Sequence, residues 1–203
     1  FFLAQYFYDN YNSAMSTLPI INSNIIITKI EVWRTNIGSA VTNNRNLVAF
    51  ADLGESKPYG QNPMIEFPGV SNLPDQYLSN QLLHIVDVNA IRDINSVSPY
   101  LQAMGFVSGQ NYEKIESARK LSSSEFTFNP KLGFISLNQA LAADQVLAVA
   151  FRYQIVGDTT LYQVGEFSDE GIADPNTLVV KLLKSSSLNV RNPMWKLMMK
   201  NVY

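Results

Sequence analysis

Hydrophobic and polar positions change period several times along the chain, and each change marks a predicted element. Leu3, Tyr6, Phe7, Tyr11, Ala14, Met15 and Leu18 recur at spacings of three and four, which predicts a helix of about four turns that Pro19 stops. Residues 25–35 are rich in β-branched side chains and are bounded by Asn and Gly, the pattern of a strand. Within it Lys29 and Glu31 share a face with Trp33, so the strand is either half exposed at its far end or has something polar packed on it. Residues 45–53 form a second apolar run of strand length. Pro58, Pro63, Pro68 and Pro74 then follow among Gly and Asn, a spacing that forbids a helix. The stretch 54–75 reads as one long ordered loop, either functional or a packing strap across the sheet.

Residues 76–105 favour helix, as two short helices or one broken one, with Ser98 as cap, Pro99 as first helical position and Gly105 as the stop. Residues 112–128 are ambiguous: Glu113, Ile115, Glu116, Arg119 and Lys120 suit a helix, whereas 122–130 alternate like a strand entering a turn. The run 132–137 looks like a strand entered through a Gly turn. Later, Leu147, Val149, Phe151, Tyr153 and Ile155 share one face, Arg152 and Gln154 take the other, and 157–160 turns the chain before 161–167. A third strand is predicted at 177–185, and Pro193 opens the last segment in the manner of a helix start. The predicted class is therefore α+β: a mainly antiparallel β-sheet with a late β-hairpin, packed by several short helices, with one long Pro-rich loop. No internal repeat, low-complexity tract or flexible linker interrupts it, so residues 1–203 read as a single domain.

Composition narrows the function classes. A chain of 203 residues buries roughly 70% of its unfolded surface, so its core needs no disulfide or metal to support it. Zero Cys removes disulfide scaffolds, thiolate zinc sites and Cys nucleophiles. A net charge of -2 leaves no electrostatic footprint for nucleic acid. Charged residues make up 16%, well under the roughly 25% of typical soluble domains, and 20 Asn and 19 Ser take their place. The polar surface is thus largely uncharged, which suits continuous contact with other surfaces and equally suits an ordinary secreted bacterial domain. No stretch approaches the 18 or more consecutive apolar residues of a membrane helix, so the piece is not expected to span a bilayer as one. The opening segment, with no initiator Met and no basic leader, reads as the interior of a longer chain.

Candidate chemistry is sparse. His84 is the one His, with Asp87 three residues on; a Ser-His-Asp site would have to use this pair, while its apolar neighbours argue for a hydrogen-bonded packing residue. No GxSxG, P-loop, GxGxxG or HExxH string occurs. Glu166, Asp169, Glu170 and Asp174 could supply hard oxygen ligands, but their spacing is not that of an EF-hand and a solvated acidic loop is the simpler reading. Lys181, Lys184, Arg191, Lys196 and Lys200, interleaved with Leu, Trp and Met, read as an amphipathic edge or a contact with anionic lipid. Trp195 with Met194, Met198 and Met199 suits either core packing or an adaptable docking surface. Trp195, Met198, Met199 and Tyr203 are the candidate partner contacts; no catalytic, metal or cofactor residue is expected.

Six ordered strings go further: 27–36 (ITKIEVWRTN), 45–55 (RNLVAFADLGE), 132–153 (LGFISLNQALAADQVLAVAFRY), 162–168 (YQVGEFS), 178–184 (LVVKLLK) and 194–203 (MWKLMMKNVY). Together they resemble one copy of the N-terminal-type motility and secretion domain of the SprA/Sov cell-surface proteins of Bacteroidetes, a likeness covering nearly the whole chain. The resemblance implies a soluble module of the outer-membrane type IX secretion translocon, which serves protein export and gliding motility. It implies no catalytic residues and no cofactor. It names as partners the remainder of the parent translocon and other secretion or motility proteins, at the outer membrane or cell surface. A carbohydrate-binding or adhesive surface domain is the alternative that the Asn- and Tyr-rich composition supports.

Overall fold

Helix α1 spans Gln5–Ala14, shorter than its apolar spacing predicts. The Asn22 N–H reaches back to the Ala14 carbonyl at 3.0 Å, and Leu18 and Ile20 point into solvent. Beyond Ala14 no apolar face remains to hold another turn against the core. The computed structural model describes residues 1–38, 44–56, 59, 62, 65, 82–187 and 189–199. The 54–75 loop falls largely outside them, as do 76–81 and Tyr203.

Strand β1 is Ile25–Arg34 and β2 is Asn44–Phe50. The helical stretch that follows is broken, as helix α2 at Leu82–Ile85, a 3-10 helix at Val88–Ile91 and helix α3 at Ile94–Ala103. Here the expected start at Ser98 and Pro99 is displaced. Asp93 caps α3 by accepting from the Asn95 N–H at 3.0 Å, and Pro99 lies inside the helix. An Asp side chain reaching the N–H two residues on is a strong start signal, and Pro99 then removes a single intrahelical bond. Gly105, at φ +79, stops α3 as expected, with the Phe106 N–H returning to the Leu101 carbonyl at 2.9 Å.

The ambiguous 112–128 region is strand. Tyr112–Lys120 forms β3, Phe126–Asn129 forms β4, and Phe134–Leu137 forms β5. Helix-favouring side chains in β3 are overridden by its pairing with β2, with a register shift opposite Asn46, whose side chain accepts from the Ser117 N–H at 3.0 Å. Strand β6 is Leu147–Ile155, β7 is Leu161–Val164 and β8 is Leu178–Lys184. A 3-10 helix at Pro193–Leu197 follows, capped by Asn192.

The main sheet runs β1-β3-β2-β8-β6-β7 and β6 also pairs with β1, so five strands close into a barrel-like ring. One edge of β6 is covered by β1 along its whole length, while β8 and then β7 share the other. The sheet is mixed, because β2 and β8 pair in parallel. Strands β4 and β5 form a separate two-stranded sheet.

Alternate residues of the ring build two apolar clusters. Val32, Val48, Phe50, Val149, Phe151 and Val179 pack with Phe7, Val97, Leu101 and Ile135 from the helices and from β5. Trp33, Leu47, Ala49, Ala148, Ala150 and Val180 form the second cluster with Phe167 and Met194. A five-stranded ring is narrower than the eight-stranded barrels that side chains just fill. The helix-bearing face is therefore the outer one, and small alanines within leave room for Trp33 and Phe167. Strand β8 is buried at all seven positions, two of them lysines.

Two outcomes follow from this packing. Gly133 sits at φ +61 with the Phe7 ring so close that an added Cβ would fall 2.1 Å from Cδ1. Gly133→Ala combines left-handed strain with overpacking and should cost about 2–4 kcal/mol, read as a lower urea midpoint at unchanged slope. Between β3 and β4, the Arg119 fork and the Ser122 N–H hold the Glu125 carboxyl well below its usual value, at about 2. A depressed acid contributes stability above its ordinary value, and that contribution goes as pH falls from the mid-4 region through about 2. Glu125→Gln should therefore be less stable than the parent at neutral pH, by no more than about 1 kcal/mol after solvent screening, with the gap closing on acidification in pH-dependent urea melts.

Candidate functional site

The Pro193–Leu197 turn divides the C-terminal Trp and Met residues between core and surface. Its 3-10 geometry starts where the Asn192 side chain accepts from the Met194 N–H at 3.0 Å. Met194 and Leu197 turn inward, Trp195 and Met198 are half-buried, and Met199 is 40% exposed. Trp195, Met198 and Met199 converge on one groove of about 760 Å³, walled opposite by Phe1, Phe134, Leu137 and Leu141. A second hollow of about 590 Å³ lies on the other side of Met198 and Met199, lined by Tyr8, Asp9, Tyr11, Asn12 and Lys196. Three of the four expected contact residues are thus brought together; Tyr203 lies outside the described residues.

The groove also borders a strand edge. Phe1 and Ile135 exchange backbone bonds, the Phe1 nitrogen donating to the Ile135 carbonyl at 2.7 Å and the Ile135 N–H to the Phe1 carbonyl at 2.8 Å. On the opposite edge of β5, the Asn138 N–H donates to Glu125 at 2.9 Å. Backbone groups alternate along a strand, so the Leu137 N–H and C=O face the Phe1 side, into the groove.

Other sequence candidates separate in space. His84 is exposed rather than packed, and the Asp87 carboxylate accepts from the Asn89 N–H at 2.9 Å as a helix cap. Of the four carboxylates of 165–176, Asp169 and Asp174 are largely exposed, as in a solvated loop, whereas Glu166 and Glu170 are half-buried. Glu166 takes the Arg92 fork through two bonds of 2.6 Å and the Val179 N–H at 2.7 Å. Asp169 meets Lys29 at 2.6 Å, Glu170 meets Arg152, and Asp174 lies 3.8 Å from Arg45. The segment is a strap tied by cations from four different parts of the chain. It also explains the polar face of β1: Glu31 is buried against Lys120 at 2.5 Å and accepts from the Ser168 N–H at 3.0 Å.

The expected basic edge is corrected most sharply. Arg191 and Lys196 are exposed, Lys200 lies outside the described residues, but Lys181 and Lys184 are buried. Lys184 donates to the carbonyls of Ala143 at 2.8 Å, Gln145 at 2.6 Å and Ser185 at 3.1 Å, and burial lowers its pKa against the pull of Asp144 and Glu113. Lys181 has no exposed surface and lies 2.7 Å from Glu55 Oε1, itself 1% exposed, while its Nζ also donates to the Ala51 carbonyl. Around this pair, the Gln5 N–H donates to both Glu55 oxygens at 3.0 and 3.2 Å and the Tyr59 hydroxyl to Oε1 at 3.1 Å. The Tyr59 N–H donates to buried Asp52 at 2.9 Å. Burial pushes the Glu55 and Asp52 carboxyls up, with Lys181 pulling the other way, and burial with the Glu55 charge holds the Tyr59 hydroxyl well above its usual range. Nothing in the local pattern LVVKLLK marks these lysines as interior, because the partners come from residues 51–59 and 143–145.

The fold and this site define a small mixed barrel, closed around an alanine-rich interior, carrying an apolar groove and a buried ionic cluster. No protein-family model matches the chain, and no curated protein matches it. Among the described residues no helix is long and apolar enough to cross a membrane.

The strap provides its own test. Arg92→Lys keeps the charge but loses the fork onto Glu166 and should cost about 1–2 kcal/mol in urea unfolding, whereas Asp169→Asn at the exposed end should cost less than about 0.5 kcal/mol.

Proposed function

We propose that the chain is a non-enzymatic structural and interaction module of an outer-membrane translocon of the type IX secretion kind, serving protein export and gliding motility at the outer membrane or cell surface. The six ordered strings that resemble the SprA/Sov family support the translocon half of this reading. The interaction half is carried by one juxtaposition: the backbone of Leu137 faces a groove floored by Trp195, Met198 and Met199. Such a site suits an extended segment of the remaining translocon, added antiparallel to β5, with ladder bonds for affinity and alternate side chains in the groove for specificity. Residues 1–3 already occupy this edge in that manner.

A second reading, a carbohydrate-binding or adhesive surface, is favoured by the hollow where Tyr8, 44% exposed, and Tyr11 stand beside Asp9 and Asn12. Aromatic faces with adjacent amide and carboxylate groups are the chemistry such ligands use.

Affinity capture from outer membranes separates the two. The module should retain named components of the translocon, and Trp195→Ala with Met198→Ala should reduce that retention by about tenfold or more. Recovery of no translocon component would overturn the proposal, and glycan-array binding abolished by Tyr8→Ala would establish the second reading.

A further inference from the structure

We propose that Lys181 and Glu55 form an intramolecular amide, made by the fold itself, that covalently joins β8 to the turn after β2. The proposal rests on the buried cluster and is independent of the translocon reading.

Three features of the geometry point to it. The first is position. Lys181 Nζ lies 2.7 Å from Glu55 Oε1, in direct contact with the carboxyl it would join. Both side chains are sealed, at 0% and 1% exposure, so solvent neither competes for the carboxyl nor returns to hydrolyse the product. The second is protonation. In a site this dry the charged pair is costly, and moving one proton across the contact gives the neutral amine and neutral acid that condensation requires. Burial already pushes the Glu55 carboxyl up.

The third feature is an uneven set of donors on the carboxyl: the Gln5 N–H reaches both oxygens, at 3.0 Å to Oε2 and 3.2 Å to Oε1, whereas the Lys181 Nζ and the Tyr59 hydroxyl sit on Oε1. Oε2 accepts from the Gln5 N–H at 3.0 Å, at the N-terminus of α1, where the helix dipole favours negative charge. That oxygen carries the charge of the tetrahedral intermediate and remains as the amide carbonyl. Oε1 holds the Lys181 ammonium and the Tyr59 hydroxyl, both donors, and is the oxygen placed to leave. The balance is simple: the Nζ–Cδ bond forms, the Cδ–Oε1 bond breaks, one ammonium proton stays on the amide nitrogen, and two depart with Oε1 as water. No electron transfer and no co-reactant enters. Asp52 is a positioning residue, fixing Tyr59 through its backbone N–H. Each chain reacts once, on itself, so the step is a maturation and not turnover.

Intact-mass measurement of the folded polypeptide, denatured only for the spectrometer, tests this. The expected result is a mass one water below that of the sequence, with a branched peptide joining Lys181 to Glu55 after digestion. Lys181→Met should show its full sequence mass. Because that variant also removes a buried charge, Tyr59→Phe is the second test: it keeps the ring and should slow closure by on the order of 10²-fold, leaving full-mass chain early in a time course. A wild-type chain that keeps its full mass on prolonged incubation, or a lost water mapped to another residue pair, overturns the proposal. Equal closure rates for Tyr59→Phe and wild type overturn the role given to Tyr59.

Discussion

An amine with no exposed surface, Lys181 on β8, is the constraint around which the other elements are arranged as the chain folds and before any bond to Glu55 closes. An ammonium in a protein interior is tolerated only with a counter-ion and full hydrogen bonding. Glu55 supplies the charge and the Ala51 carbonyl a further acceptor. Glu55 in turn satisfies the first N–H of α1, a helix whose own N-cap position is Ala4 and offers no side-chain acceptor. Removing either partner would strand the other and loosen the start of α1, the turn after β2 and the middle of β8 together. The pair contributes little net stability by itself, but it disfavours arrangements in which these three elements do not meet.

The ring follows a similar logic at lower cost. Strands β6 and β8 are covered on both faces, by helices and β5 outside and by the alanine-rich cluster inside. One end is finished by the 165–176 strap, whose carboxylates are taken up by Arg92, Lys29, Arg152 and Arg45. Lys29 also lies 4.1 Å from the centre of the Phe167 ring, so the strap is held by its aromatic anchor as well as by its charges. The groove beside β5 is left by the same packing. The Pro193–Leu197 turn sends Met194 and Leu197 inward and leaves Trp195, Met198 and Met199 facing the strand edge. Groove and core are thus built from one short segment.

Much of this was legible in the residues and some was not, for identifiable reasons. Strand β1 and the Gly105 stop follow from local chemistry, β-branched density in one case and a left-handed backbone in the other. The end of α1 is not legible in the spacing, because Leu18 continues the helical period without any core beneath it, and periodicity does not report what lies opposite. The Ser98-Pro99 start is outweighed by Asp93, an equally local capping signal upstream of it. That Trp195, Met198 and Met199 lie close together is legible in composition, because they fall within a single turn.

The amino-acid sequence by itself determined the α+β class, the strand-rich core, the absence of thiol chemistry and the candidacy of the Trp195 segment, since each depends on side-chain type and spacing within a few residues. Only the tertiary structure decided the parallel pairing of β2 with β8, the closure of the ring through β1 and β6, and the fate of the ionisable groups. Lys181, Lys184 and the acids of 165–176 look unpaired in the sequence because a charge is read as unpartnered unless its partner is visible. Their partners lie far away in the chain, up to 140 residues for Lys29 and Asp169, and only folding brings them within bonding distance.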